Sequence, residues 1–171
     1  MANISYIPGM GARSYDSISS WETGFIHAPP RPTMTTVGGG SLAPGSYQYI
    51  AVYAWIDDQG NKWRSVTSLP GTHVLVATAA INVTVRSLYL TRKKSSLFNA
   101  AAGRTRRDIS IEIYRTQPNG QTFYLLTIVT NDLNNAAIIY QDDVVTVTGN
   151  ELLYTTGGVL DNYPPPPSNA L

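Results

Sequence analysis

The chain of 171 residues contains no cysteine, which excludes a disulfide framework, a thiolate metal site and a cysteine nucleophile. Charge is scarce as well. Lys, Arg, Asp and Glu make up 13% of the residues, roughly half the share usual in a globular domain. Twelve basic residues against 11 acidic ones leave a net charge of +1, so no global field draws the chain to nucleic acid or to a membrane. Two histidines, His27 and His73, offer little material for imidazole chemistry. No apolar run approaches the roughly 18–20 residues needed to cross a bilayer. Residues 1–10 lack the basic-then-apolar order of a secretory leader, so no signal peptide is expected. What is plentiful is glycine (14), proline (11) and tyrosine (11). The length suits one domain of about 100–150 residues with tails.

Residues 1–32 read as an irregular N-terminal arm, punctuated by Pro8, Gly9, Gly11, Pro29, Pro30 and Pro32. Trp21, Phe25 and Ile26 give this arm large apolar groups with which to dock, on its own domain or on a neighbour. Residues 37–45, with Gly38, Gly39, Gly40 and the pair Pro44-Gly45, read as a loop or bend. Residues 149–171 form a second arm. Four consecutive prolines, Pro164 to Pro167, cannot donate to a ladder and favour polyproline II.

Between the arms the period is two. Tyr47, Tyr49, Tyr53 and Trp55 share one parity, and Ile50, Val52 and Ile56 share the other. Aromatic and β-branched residues on both faces predict a central strand covered on each side. Asp57, Asp58, Gly60 and Asn61 supply a turn, and residues 62–67 return as a hairpin partner. Strands are also predicted at 73–78 and 81–85. Ile109, Ile111 and Ile113 alternate with Ser110, Glu112 and Tyr114 in the cleanest strand pattern of the chain. A hairpin turn with Asn119-Gly120 at its centre leads to a partner at 122–129, and a last strand falls near 137–140. About seven short strands and no long helix predict a two-sheet antiparallel sandwich.

The segment from Pro44, Gly45, Ser46, Tyr47, Gln48 and Tyr49 to the turn Asp58, Gln59, Gly60 resembles the opening of fibronectin type III-like domains of bacteriophage virion proteins. So does the later block Ile111, Glu112, Ile113, Tyr114, Arg115, Thr116, with Asn119-Gly120 and then Phe123, Tyr124, Leu125, Leu126. The matching block covers roughly residues 42–145. Residues 153–162 before the prolines are similar to a segment that follows such domains in tail-associated phage proteins. The resemblance implies an all-β fibronectin type III/immunoglobulin-like sandwich over 33–148, between the two arms, built into a virion. The basic insertion around 91–107 departs from that pattern.

No catalytic constellation stands out. Gly39-Gly40-Ser41 lacks the rest of a nucleophile elbow, and the two histidines have no metal-ligand spacing. The glycine runs are not followed by Lys-Ser/Thr, so they read as turns rather than a phosphate loop. Asp57-Asp58 and Asp142-Asp143 read as turn residues before calcium ligands. The tyrosine-rich strand reads as a core stripe before a sugar-binding platform. The basic run is the most distinctive feature. Arg86, Arg92, Lys93, Lys94, Arg104, Arg106 and Arg107 lie in a stretch with no acidic residue between Arg64 and Asp108. It suits an acidic patch on a protein partner, open solvent, or DNA phosphates, in that order.

The expectation is therefore a non-enzymatic virion structural protein, in the tail or neck, with no cofactor and no metal. Its partners are other virion proteins and copies of itself. Trp21, Phe25, Tyr154 and Leu160 are the expected interface anchors. Arg92, Lys93, Lys94, Arg104, Arg106 and Arg107 are the expected electrostatic contact. The alternatives are a module binding carbohydrate or a host surface, and an accessory domain of a larger phage protein.

Overall fold

The computed structural model describes residues 13–15, 20–22, 24–25, 27–56, 62–89 and 109–153. Among the described residues there are ten strands and no helix. Two antiparallel sheets pack face to face as a β-sandwich, in agreement with the all-β reading.

The long strand β4 (Gly45–Ile56) organises the larger sheet. On one flank it pairs with β8 (Ser110–Thr116). On the other flank its first half pairs with β6 (Gly71–Leu75) and its end with β5 (Lys62–Arg64). Between these two partners, Ser65 and Ser68 continue the ladder. Their N–H groups donate to Tyr53 O and Ala51 O at 2.8 and 2.9 Å, and their hydroxyls accept from Tyr53 N–H and Ala51 N–H. The sheet continues from β8 to β9 (Phe123–Thr130), with a register shift between Ile113 and Tyr114.

The period of two in the sequence holds on both faces of β4. Tyr47, Tyr49, Ala51, Tyr53 and Trp55 point into the space between the sheets, against Ile81, Val83 and Val85 of β7 (Ala79–Arg86) and Ile109, Ile111 and Ile113. Each fully buried Val or Ile contributes about 1.5–3 kcal/mol of transfer free energy, so this layer is the main source of cohesion. Ile50 and Val52 point the other way and join Tyr114 and Leu153 in a second cluster, against Phe123 and Leu125. That outer cluster explains why β4 and β8 are apolar on both faces.

The smaller sheet has the order β10-β7-β3, with β3 Thr33–Leu42 and β10 Ala137–Asp142. β3 corrects the loop expected over 37–45. Its register runs from Thr33 opposite Thr84 to Val37 opposite Ala80, then jumps to Leu42 opposite Ala79. The glycines sit in this irregularity. Gly39 has a φ of +83°, and a Cβ on Gly40 would lie 2.1 Å from Ala80 N. The residues that signal a loop here let a strand bulge closely over its neighbour.

Two further differences concern the boundaries. Residues 1–32 are not wholly irregular, because β1 (Arg13–Tyr15) and β2 (Ser20–Glu22) pair antiparallel. The sandwich also draws on residues outside 33–148. Phe25 packs on the core with its ring 6.3 Å from that of Tyr53. Residues 151–153 lie along β9, with Leu125 N–H donating to Glu151 O at 2.7 Å and Leu153 N–H to Phe123 O at 3.1 Å. The β8–β9 turn also differs in detail. Gly120 N–H donates to Gln117 O at 2.9 Å, so Pro118 and Asn119 are the central residues. Asn119 takes the positive φ, 60°, where the expectation centred the turn on Asn119-Gly120.

Candidate functional site

Among the described residues, three places gather the polar and charged side chains that bond across the fold. The first lies inside the core. Arg115 is on the same parity as Ile111 and Ile113, so β8 carries it inward, and its side chain is 0% exposed. Arg115 Nη1 donates to Asp142 Oδ2 at 2.7 Å, and the Tyr49 hydroxyl donates to the same oxygen at 2.7 Å. Val144 N–H donates to Asp142 Oδ1 at 3.1 Å. The guanidinium carbon sits 5.4 Å from the Tyr47 ring centroid, a cation–π contact. Burial pushes the Tyr49 hydroxyl pKa up, and the Asp142 carboxylate pushes it further. These groups join β8 and β4 of one sheet to β10 of the other. All are sealed from solvent, so the arrangement fixes the mutual position of the sheets and reaches no solute.

The second lies on the outer face of the larger sheet. Glu112 is 0% exposed. Its carboxylate meets the Lys62 ammonium on one oxygen, and on the other accepts from Arg64 Nε and the Tyr114 hydroxyl, each at 2.8 Å. Burial opposes ionisation of Glu112, but the hydrogen bonds from Lys62, Arg64 and Tyr114 outweigh it and hold the carboxyl below its usual range. Burial pushes the Tyr114 hydroxyl up. Arg64 Nη2 extends the network to Glu151 Oε1 at 2.7 Å. The network ties β5 and β8 to the segment that follows β10.

The third is the root of the basic insertion. Asn131 Oδ1 accepts from Leu88 N–H at 2.7 Å, and Asn131 Nδ2 donates to Leu88 O at 3.0 Å. Its own N–H donates to Ile109 O at 2.9 Å. One residue thus bonds the chain just before residues 90–108 and just after them. Nothing in the sequence singled it out, since an asparagine after a strand also reads as an ordinary turn residue.

Arg92, Lys93, Lys94, Arg104, Arg106 and Arg107 lie outside the described residues, as do Tyr154, Leu160 and the turn at Asp57-Asp58. Trp21 is in β2, with its backbone opposite Ser14. Phe25 is half-buried against its own sandwich. His27 is exposed, and His73 Nε2 lies 2.8 Å from Thr36 Oγ1, linking β6 to β3. The Asp142-Asp143 pair divides its work. Asp142 ends β10 as half of the core ion pair, and Asp143 accepts from Ser41 N–H at the end of the β3 bulge. Asp142 does close the expected turn, since its Oδ1 accepts from the N–H of Val144 two residues on; the role the sequence did not show is its half of the core ion pair. Among the described residues no group of three or more His, Asp or Glu is placed to hold a metal ion. Tyr47, Tyr49, Tyr53 and Trp55 are buried, so as a set they present no aromatic platform to a sugar. Comparison with protein-family models, with curated proteins and with solved structures finds no match to this chain.

Proposed function

We propose that the protein is a non-enzymatic structural component of a bacteriophage virion, in its tail or neck, whose fibronectin type III-like sandwich serves as a rigid body. The reading rests on the sequence resemblance and on one structural observation. Val66, Leu69, Val74 and Val76 are exposed within one short stretch of chain, and Val76 is 92% exposed. Large aliphatic groups held in water on a rigid frame suit a surface that a neighbour covers. The two buried ion-paired networks support the same role, since they hold the frame in one geometry. The basic segment and the two chain ends supply further contacts with virion proteins. Contact of the basic segment with DNA phosphates is the lesser possibility within this reading.

The test is incorporation into particles. Deletions of residues 1–23 and of 154–171 spare Phe25 and residues 151–153, so each shortened chain is expected to melt like the full chain. Mass spectrometry of purified particles is expected to find the full chain and to miss the shortened ones. Particles that form normally with both deletions, or that never contain the full chain, would refute the proposal.

A further inference from the structure

Sheet edges expose unpaired N–H and C=O groups, and proteins blunt them with bulges, charges, prolines, short strands or covering segments. Three edges here carry such devices. β3 follows Pro32 and contains the glycine bulge. β5 and β6 are short and carry Lys62, Arg64 and His73. β9 has a register shift, and residues 151–153 cover its start.

β10 carries none. Residues 137–141 read Ala-Ile-Ile-Tyr-Gln, with no charge, proline or glycine, and β10 pairs with β7 without a register shift. Ser87 N–H donates to Ala136 O at 3.1 Å, continuing that register. Hydrogen-bonded pairs alternate along an antiparallel ladder. The bonded residues are therefore 136, 138, 140 and 142, and the backbone groups of Ala137, Ile139 and Gln141 turn away from β7. Among the described residues nothing bonds to those groups. Ile139 is also 64% exposed in the middle of the strand.

We infer that this edge binds a second copy of the chain, β10 against β10, about a twofold axis at Ile139. The strand is self-complementary in that register. Ile139 meets Ile139, and the small Ala137 meets the long Gln141. The outward groups form about six backbone hydrogen bonds, two for each bonded pair. Residues 137–141 bring no like charges together, and the two exposed isoleucines cover each other. The two smaller sheets become one continuous sheet through both copies. Such isologous contacts are the commonest way for identical chains to associate. The inference rests on residues 137–141 alone, and it holds or fails independently of the virion proposal.

The absence of cysteine makes the test clean. The Cα atoms of a bonded antiparallel pair lie about 5.5 Å apart, within disulfide reach. An Ile139→Cys chain under mild oxidation is expected to give a covalent dimer as its main product. Val74→Cys, at an exposed position of β6, is expected to remain uncrosslinked. In analytical ultracentrifugation the unaltered chain is expected to dimerise with concentration. Ile139→Lys, with two ammonium groups at the axis, is expected to weaken the dimer at least about tenfold. Its circular dichroism should match that of the unaltered chain. A chain that sediments as a monomer up to its solubility limit would overturn the inference. So would an Ile139→Cys chain that crosslinks no faster than Val74→Cys, or an Ile139→Lys chain that dimerises as well as the original.

Discussion

Changing Asp142 to asparagine replaces one carboxylate oxygen with an amide nitrogen and leaves the side-chain shape intact. In this fold the change removes the only counter-charge bonded to Arg115 among the described residues. Both side chains are 0% exposed, so the guanidinium would remain in the core without a neutralising partner. Arg115 Nε and Nη2 already lack hydrogen-bond partners there. Breaking a buried pair by removing one member costs about 3–5 kcal/mol. With its oxygen in the place of Oδ2, the asparagine still accepts from two of the three donors that meet Asp142, which places the expected loss near the lower end, about 3 kcal/mol. For a sandwich of this size that is a fall in Tm on the order of 10–20 °C. Urea titration and thermal circular dichroism read it directly. A second variant separates charge from packing. Tyr49→Phe, Arg115→Met and Asp142→Leu together replace the three polar side chains with apolar ones, and are expected to recover most of the loss. A single variant within about 1 kcal/mol of the original, which is near the ordinary surface range, would refute the reasoning. A triple variant as unstable as the single one would refute it too.

Three further outcomes are expected. Gly40→Ala drives a Cβ into the backbone of β7 and is expected to cost about 1–3 kcal/mol by urea titration. Gly38→Ala, where a Cβ would meet nothing within 4 Å, is the near-neutral control. Asn131→Ala leaves Leu88 N–H and Leu88 O without their side-chain partner. It is expected to cost about 1–3 kcal/mol and to speed tryptic cleavage within residues 90–108; unchanged cleavage would count against the clamp. The Glu112 carboxyl sits below its ordinary value of 4.5 in the fold. A depressed value adds stability above the unfolded-state value, and that stability is lost as pH falls through the folded-state value. Thermal melts of the unaltered chain and Glu112→Gln should therefore begin to draw together as pH falls below 4.5 and meet below the lower folded-state value, with the variant less stable at neutral pH. Parallel curves would exclude the ionised network as the cause.

Much of the sandwich was legible because its strands alternate. β4 announced two buried faces through its aromatic and aliphatic parities, and β8 announced its inward face through three isoleucines. The same alternation held a signal that went unread. Arg115 continues the parity of Ile111 and Ile113 and had to be either buried or an exception. β3 was hidden for a chemical reason: positive φ and close backbone approach demand glycine in a bulge as they do in a loop. The second role of Asp142 was hidden similarly, since a carboxylate that closes a turn at a strand end looks the same whether or not it also neutralises an arginine across the core. Glu112 read as one polar residue on an alternating strand. Its charged partners Lys62 and Arg64 come from an element distant in sequence, and only the fold brings them to it.

The asparagine at the base of the basic excursion has a consequence for how the chain can change. Leu88 and Ile109 meet at Asn131, so whatever lies between them begins and finishes at a single fixed gateway. Closing a longer excursion there costs only about 0.6 kcal/mol for each doubling of its length. Insertions, deletions and swaps of charge between Leu88 and Ile109 are thus expected to leave the layered frame folded, which urea titration of such variants would check, and one scaffold would then present very different electrostatic faces.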